Sequence, residues 1–479
     1  MTMDIHLLID FGSTYTKIIA VDLEREEVLG RAQALTTIEH DITIGLDNAL
    51  ADLSRDCGFD EGDVQGKYAS SSAAGGLRMA AIGLVPDLTL EAARRAALGA
   101  GAKVVCAHGF EVDREIIGEV EGASCDIILL TGGTDGGDKA VIIHNARMLA
   151  GSTIDCPILV AGNRVVTGQV REILQAAGKT VATARNVLPS LDKVEVEPAQ
   201  DLIRDIFITR ITDAKGLSKA RDFTGRDIVP TPMATLHAAA LLADGSDDEP
   251  GLGSLLVVEV GGATTNVHSV DDGRPSDAQT IVKGLPEARV KRTVEGDLGI
   301  RYNAPSIHDM VGEETCQARL AELDPSAAGQ SMDLQAHARA LSEDVGYIPA
   351  GEVEFSIDAM LAQSATTIAV ERHAGTLRQE YSVVGAIQVQ QGKNLLDTKN
   401  LIGTGGIFKY GRHPEKILQA ALFSPTNPWS LKPTAPNAYV DGEYLLYGIG
   451  LLAEHFPAKA LRIGKKYLRR VSLEESTAG

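Results

Sequence analysis

The chain has 479 residues, 44% hydrophobic and 23% charged, which suits a globular protein of two to four domains. Its formal net charge of −20 opposes nucleic-acid binding, which depends on Lys and Arg to neutralise phosphates. No run approaches ~18 apolar residues, so no membrane span is expected. Residues 1–9 show neither the basic start nor the apolar core of a secretory leader, so none is expected. The five cysteines, Cys57, Cys106, Cys125, Cys156 and Cys316, are odd in number and form no CxxC pair. They read as reduced thiols of a cytoplasmic protein, not as a disulfide frame or a zinc site. Aromatics make up only 4% while glycines number 49, so the cores must be mostly Ala, Val, Leu and Ile, as in α/β proteins.

Near the N-terminus LLIDFGSTYTK (residues 7–17) reads as a buried strand, Asp10 at its exit, a turn of Gly12, Ser13 and Thr14, then a second strand over 18–22. Gly12 lets backbone approach an anion closely, and consecutive turn N–H groups form an anion-binding concavity. Asp10 can hold a metal or its water. The arrangement is a hairpin, not the strand-to-helix turn of a P-loop or a dinucleotide fold. An ordinary glycine turn reads equally well from these residues alone. A third strand is expected over 28–36, a helix over 41–57 and a strand over 67–70. Residues 70–76, SSSAAGG, then form either a loop at the rim of the same cleft or a surface turn.

From 79 to 212 the pattern alternates regularly. Strands are expected at 104–106, 127–131, 158–160 and 180–182, and helices at 91–98, 111–120, 138–149, 165–176 and 198–210. This spacing predicts a parallel, doubly wound sheet as an inserted α/β domain. It carries LLTGGTDGGDK (residues 129–139), a Gly/Asp loop at a strand's carboxyl end. Ligands of open α/β sheets sit at such ends, and a tight turn with a helix cap explains the same residues.

Residues 229–243 predict a Pro-started helix, followed by a polar linker over 244–253. LLVVEVGGATTNVHSV (residues 255–270) repeats the earlier pattern: strand, Glu259, a turn of Gly261, Gly262, Ala263, Thr264 and Thr265, then strand. Residues 284–302 and 305–351 read as a partly helical insert, and 352–380 as helix. LIGTGGIF (residues 401–408) runs a strand into Gly403, Thr404, Gly405 and Gly406. A further helix is expected near 445–452. Gly448 and Gly450 inside it suit either a hinge or plain packing. Residues 461–470 read as a solvated basic tail. No internal repeat is visible, and the halves share only the hairpin pattern. No Ser/His/Asp or Cys/His constellation stands out, and His237 and His268 read as packing or surface residues.

Two acid-plus-glycine hairpins followed by a late GTGG resemble the actin, Hsp70 and sugar-kinase superfamily. That resemblance implies a two-lobe, ribonuclease H-like fold whose hairpins grip ATP phosphates. Gly12, Ser13, Thr14, Gly261, Gly262, Ala263, Thr264 and Thr265 would form the phosphate cradle. Asp10 would hold Mg²⁺, Glu259 would orient water or metal, and Gly403, Thr404, Gly405 and Gly406 would flank adenosine. Lys17 either reaches a phosphate or is solvated. The helices over 229–243 and 445–452 would be lobe crossings. The implied divisions are 1–78, first lobe; 79–212, inserted domain; 213–253, crossing helix and linker; 254–438, second lobe; and 439–479, second crossing helix and tail.

Across nearly the whole chain, IDFGSTYTK, LLTGGTDGGDK, VVEVGGATTNVHSV and LIGTGGIF are similar to the GlmL/MutL family of glutamate mutase accessory proteins. The resemblance implies an ATP-driven, Mg²⁺-dependent reactivating factor whose partners are adenosylcobalamin-dependent mutase subunits. The family pattern has Asp where this chain has Glu259 and Asn266, which puts rapid hydrolysis in question, since misplacement by ~1 Å can cost ~10²-fold. A slow ATPase is therefore expected, with a small-molecule kinase and a nucleotide-binding scaffold as alternatives. Whether the chain forms a homo-oligomer stays open.

Overall fold

The computed structural model describes residues 3–12, 15–37, 41–72, 77–214, 217–327, 332–382 and 385–473. The chain divides into two compact units, Met1–Ala234 with Gly284–Pro286, and Thr235–Lys283 with Glu287–Gly479.

The first unit opens with an antiparallel meander of β1 (Ile5–Phe11), β2 (Tyr15–Asp22) and β3 (Glu27–Leu35). Every residue of β1 is buried, as an apolar strand covered on both faces requires. Helix α1 (Ile42–Cys57) puts Ile42, Leu46, Ala49 and Leu53 into the same core. Its first turn is capped by the Asp41 carboxylate, which accepts from the Thr43 N–H, and Gly58 ends it at φ +70°. β4 (Val64–Ser71) then lies parallel to β1.

A second sheet intervenes before the first is completed. β5 (Arg78–Ile82), α2 (Glu91–Gly99), β6 (Lys103–His108), α3 (Arg114–Gly122), β7 (Ile127–Leu130), α4 (Ala140–Ala150), β8 (Ile158–Val160), α5 (Thr167–Ala176) and β9 (Val181–Thr183) alternate, and of these strands only β5 is not expected from the spacing. The strands are all parallel in the order β6-β5-β7-β8-β9. Both faces are buried in separate cores. Met79, Ala81, Ile127, Leu129 and Leu159 join the core of the first sheet, while Ala80, Ile82, Ile128, Leu130, Ile158 and Val160 pack under α3, α4 and α5. This two-sided burial explains why the strands read as continuous apolar runs rather than alternating ones. After α6 (Glu197–Ala214) and α7 (Leu217–Thr224), β10 (Val229–Pro230) pairs parallel with β4. The first sheet is thus β10-β4-β1-β2-β3.

The division between units falls inside α8 (Thr231–Asp244). The expected polar linker is a small hairpin, β11 (Gly245–Ser246) with β12 (Glu249–Pro250). The second unit then repeats the first sheet's plan. β13 (Leu255–Val260) and β14 (Thr265–Val270) form a hairpin, and β15 (Ile281–Lys283) precedes β16 (Val290–Glu295), which pairs with β14. Helices α9 (Ala304–Val311), α10 (Glu313–Leu323), α11 (Leu334–Glu343) and α12 (Glu352–His373) follow. β17 (Thr376–Ser382) and β18 (Gly385–Gln391) form a side sheet with β15. β19 (Asn400–Thr404) pairs parallel with β13 and leads through α13 (Gly406–Tyr410) and α14 (Pro414–Gln419) to β20 (Asn437–Val440), parallel to β19. α15 (Leu446–Ala453), α16 (Pro457–Tyr467) and β21 (Arg469–Val471) complete the described chain. The sheet order is β16-β14-β13-β19-β20-β21.

Both sheets therefore run third, second, first, fourth, fifth strand, with the first three antiparallel and the next two parallel, and the second sheet adds β21 as an antiparallel edge. This is the actin/Hsp70-like, ribonuclease H-like α/β fold in two units, with a doubly wound α/β domain inserted in the first. The halves share more than a hairpin pattern: the repeat lies in topology, where sequence self-similarity does not reveal it.

Two local expectations are corrected. Residues 352–380 are not helical throughout, because α12 stops at His373 and Thr376 begins a strand. The basic tail is not a solvated helix end. Ala460, Leu461, Ile463 and Gly464 of α16 are buried, and Arg469–Val471 pair with β20 as an edge strand. Its arginines suit an edge, where charge discourages further pairing.

Candidate functional site

Asp10 is the penultimate residue of β1 and is almost fully buried. Buried carboxylates need partners. The Thr231 hydroxyl donates to Asp10 Oδ1 at 2.6 Å, the Ser70 hydroxyl lies 3.3 Å from the same oxygen, and Lys17 Nζ stands 3.7 Å from Oδ2. Lys17 reaches the position because it is Asp10's cross-strand partner. Ser70 is the neighbour of Asp10 on β4, and Thr231 opens α8 directly after β10. The sequence left Ser70 open between a cleft-rim loop and a surface turn, and gave Thr231 no role.

Gly12 serves the turn itself. Its N–H donates to the carbonyls of Asp10 and Tyr15, both at 3.1 Å, and a Cβ there would meet the Tyr15 carbonyl at 2.7 Å. Ser13 and Thr14 lie outside the described residues, as do residues 73–76 of the SSSAAGG loop.

Glu259 is likewise penultimate in β13. Its hairpin closes through the Gly261 N–H, which donates to the Thr264 carbonyl at 3.0 Å. The amides of Gly262 and Ala263 at the tip make no hydrogen bond among the described residues, so they can serve as anion donors. The tip rests on a segment that sequence reading left in the helical insert. Ile300 N–H donates to the Gly261 carbonyl, Arg301 and Tyr302 N–H donate to the Gly262 carbonyl, and Asn303 Nδ2 donates to the Ala263 carbonyl at 2.9 Å. Gly299 must be glycine, since a Cβ would lie 2.4 Å from the Gly262 carbonyl oxygen. Arg301 is fixed beside Gly262 by two bonds to Asp358, 2.8 and 2.6 Å. Thr265 is buried and donates to the Leu298 carbonyl at 2.7 Å.

The Glu259 carboxylate sits in a polar network on one sheet face. Asn266 Nδ2 donates to Oε2 at 3.0 Å, His268 Nε2 lies 3.5 Å from the same oxygen, and Arg292 donates to Asn266 Oδ1 at 3.3 Å. Burial alone would raise the Glu259 carboxyl, but His268, Asn266 and Arg292 hold it below the usual carboxylate range. Burial keeps His268 below its usual value despite Glu259, and pushes Arg292 down to about 10. The fully buried His268 is thus a polar partner of Glu259 within the packing.

The GTGG turn is brought against this hairpin. Thr404 is the register neighbour of Glu259 on β19. Gly405 has φ +108°, and a Cβ there would lie 2.4 Å from the Val260 carbonyl oxygen. Gly403 passes under the Phe408 ring, which a Cβ would meet at 2.5 Å. Gly406 opens α13 and faces open space. The Thr404 hydroxyl donates to Asp441 Oδ2 at 2.9 Å, and Asp441 caps α15 through the N–H groups of Leu445 and Leu446. Burial raises the Asp441 carboxyl in spite of those donors.

The two sheets thus carry matching stations. Each has a penultimate acid on the first strand, a glycine-closed hairpin after it, and a hydroxyl neighbour on the fourth strand, Ser70 beside Asp10 and Thr404 beside Glu259. Among the described residues no group of three or more His, Cys, Asp or Glu could hold a metal, and no helix is long and apolar enough to cross a membrane.

Residues 6–468 match the family model described as MutL protein. Protein MutL of Clostridium tetanomorphum is 46% identical over 469 residues, covering 98% of this chain and all of that protein. Among solved structures, gluconate kinase from Lactobacillus acidophilus covers 98% of this chain and 94% of its own at 10% identity, with a TM-score of 0.34. Plasmodium falciparum glycerol kinase with ADP covers 99% and 94% at 10% identity, also with a TM-score of 0.34. Likeness at that level supports no inference about chemistry.

Proposed function

The chain belongs to the MutL protein family, and on that premise we propose that it is a nucleotide-operated accessory protein of an adenosylcobalamin-dependent mutase of the glutamate mutase type. In this reading it binds ATP with Mg²⁺, hydrolyses it slowly, and uses the cycle to let inactive cofactor leave the mutase. The observation that carries the reading is the pair of matching stations, a penultimate acid with a glycine-closed hairpin in each of two like sheets.

The residues present fit a metal–nucleotide ligand. Mg²⁺ is ordinarily held by one or two carboxylates with phosphates and waters, not by a full protein cage, so a lone acid at the site suffices. Asp10 is the proposed carboxylate, with Oδ1 oriented by Thr231 and Ser70. When bound, the metal would neutralise charge between phosphate oxygens. Lys17, already 3.7 Å from Asp10, would move to a phosphate. The Gly262 and Ala263 amides would donate to phosphate oxygens, Gly403 to Gly406 would lie along adenosine, and Glu259 would orient the attacking water as an anion. Because ATP and the chain are both anionic, these local donors must supply the attraction that the −20 field does not.

The scaffold reading has one observation in its favour: Glu259 is tied to Asn266 and lies near His268, which limits its freedom to activate water. Calorimetry and phosphate release decide between them. The parent should bind ATP only with Mg²⁺ and release phosphate. Ala263→Asp, at an exposed turn tip, should weaken binding at least tenfold, and Asp10→Asn should lower phosphate release strongly. Unchanged binding and release in both variants would remove the assignment. Binding without release in the parent would favour the scaffold.

A further inference from the structure

The Gly132–Asp138 loop takes no part in the proposed nucleotide site. It stands at a defined place in the inserted sheet. The order β6-β5-β7-β8-β9 is second, first, third, fourth, fifth strand, so the chain leaves β5 in opposite directions and the topological switch point lies between β5 and β7. In open α/β sheets of this order, ligands sit at the carboxyl ends of the strands beside that point. Gly132 and Gly133, directly after β7, are buried with φ +153° and +70°. The amides of Gly132, Gly133 and Thr134 make no hydrogen bond among the described residues. Buried N–H groups are nearly always paired, so the Gly132 and Gly133 amides, with the half-buried Thr134 amide beside them, call for an acceptor from outside the chain.

The loop is built, not slack. Buried Asn163, at the end of β8, accepts from Gly136 N–H at 3.1 Å and donates to the Asp138 carbonyl at 2.9 Å. Buried Asn186, after β9, donates to the Gly133 carbonyl and to Asp135, 3.0 and 2.9 Å. On the β5 side, the Thr89 hydroxyl already accepts from Leu84 and Val85 N–H, 2.7 and 2.9 Å. The equivalent turn amides there are satisfied internally, which leaves the β7 loop as the open donor set.

The exposed large apolar residues described in the inserted domain, Phe110, Val165 and Leu191, all lie in the loops that follow β6, β8 and β9 at this same edge. Phe110 holds φ +66°, fixed by buried Asn145, which donates to its carbonyl and accepts from Val112 N–H. Exposed apolar side chains on the loops after β6, β8 and β9, with the unbonded amides of the β7 loop between the first two, fit a ligand with an extensive apolar body. The loop's own charges are Asp135 and Asp138 against Lys139, and Asp135 already faces Arg164 at 3.5 Å. That balance disfavours a dianionic phosphate and favours neutral acceptors.

We infer that the carboxyl edge of the inserted sheet is a second ligand site, taking a ring-type cofactor whose rim carries neutral carbonyl or amide oxygens. Corrinoids and flavins share that chemistry. The corrinoid would tie the site to the mutase reading and rests on it, whereas the site itself does not.

The test uses the full chain and equilibrium dialysis with three probes: cyanocobalamin, riboflavin and inorganic phosphate. One ring probe should bind at one site per chain. The double variant Phe110→Asn with Val165→Ser, at exposed positions and with Asn tolerating the left-handed backbone, should weaken that binding at least tenfold while leaving ATP affinity unchanged. Cyanocobalamin binding would assign a corrinoid, riboflavin binding a flavin. Binding of phosphate alone, of neither ring, or of a ring with unchanged affinity in the variant would overturn the inference. Ring binding by a chain that binds no ATP would overturn only the earlier reading.

Discussion

Asn266 donates a hydrogen bond to Glu259 across the second hairpin, 3.0 Å from amide nitrogen to carboxylate oxygen. An acid at residue 266 would set two carboxylates against each other there, whereas the amide supplies a donor and keeps Glu259 ionised. A carboxyl whose value is depressed on folding contributes stability above its unfolded value, near 4.5, and loses it as pH falls through the folded value. Asn266→Leu should therefore cost about 1.5–3 kcal/mol near pH 7, the range for a hydrogen bond to a charged group. The cost should shrink as pH falls through the folded value of Glu259, where the carboxyl takes up its proton and loses its charge. Urea unfolding across that range checks it. A cost that does not change with pH would contradict the network.

Thr231 should matter to the first station. Thr231→Val keeps the shape but removes the 2.6 Å donor to buried Asp10, at about 1–3 kcal/mol for an underbonded buried carboxylate. Thr231→Ser should restore most of it. Equal unfolding midpoints for all three proteins would mean that Asp10 is held otherwise.

Neighbouring glycines of the GTGG turn should behave oppositely. Gly405→Ala combines φ +108° with a Cβ 2.4 Å from the Val260 carbonyl oxygen, so a loss of about 1–3 kcal/mol or more is expected, with weaker ATP binding. Gly406→Ala points into open space at the start of α13 and should be neutral or slightly stabilising. Thermal unfolding of both variants reads the contrast, and equal shifts would contradict the turn geometry.

Lys393 is fully buried, and its ammonium is held by the carbonyls of Ala288 and Arg289 at 2.9 and 2.6 Å. Burial, then Lys291, pushes it down to about 7. Between that value and the unfolded value near 10.5, the unfolded chain binds the extra proton, so stability rises with pH. The parent should gain up to about 1.4 kcal/mol per pH unit from pH 7.5 to 9 relative to Lys393→Met. Parallel pH profiles for the two proteins would show that the ammonium stays protonated.

Local features were legible in the sequence, and distant ones were not. Asp10, Gly12, Glu259 and Gly261 declare themselves because a strand, an acid and a glycine turn lie within a few residues of one another. Four strands of the inserted sheet were legible because buried parallel strands such as β7 are unbroken apolar runs between helical patterns, whereas β5 was missed, its run opened by Arg78 and carried largely by alanine. Thr231 was not, since it meets Asp10 across 221 residues and looks like any helix start. The residues 299–303 that support the second hairpin carry no periodicity, and only their backbone geometry gives them meaning. Arg469 and Arg470 suggested solvent by charge, but main-chain pairing at a sheet edge leaves side chains in water as well. The twofold use of one sheet order was hidden because topology constrains where strands go, not which apolar residues fill them.

The central claim is that ATP turnover by this chain changes a partner enzyme. The direct measurement starts from a cobalamin-dependent mutase from the same cell, inactivated with its damaged cofactor still bound. This protein, ATP, Mg²⁺ and fresh adenosylcobalamin are added, and mutase activity is followed. ATP must stabilise a state of the chain different from that favoured by its hydrolysis product, because a ligand shifts an equilibrium only through differential affinity. Activity should return with ATP, fail to return with a non-hydrolysable analogue, and fail with Asp10→Asn. No recovery with any cobalamin mutase of that cell, together with transfer of labelled phosphate to a small molecule, would contradict the account and identify a kinase instead.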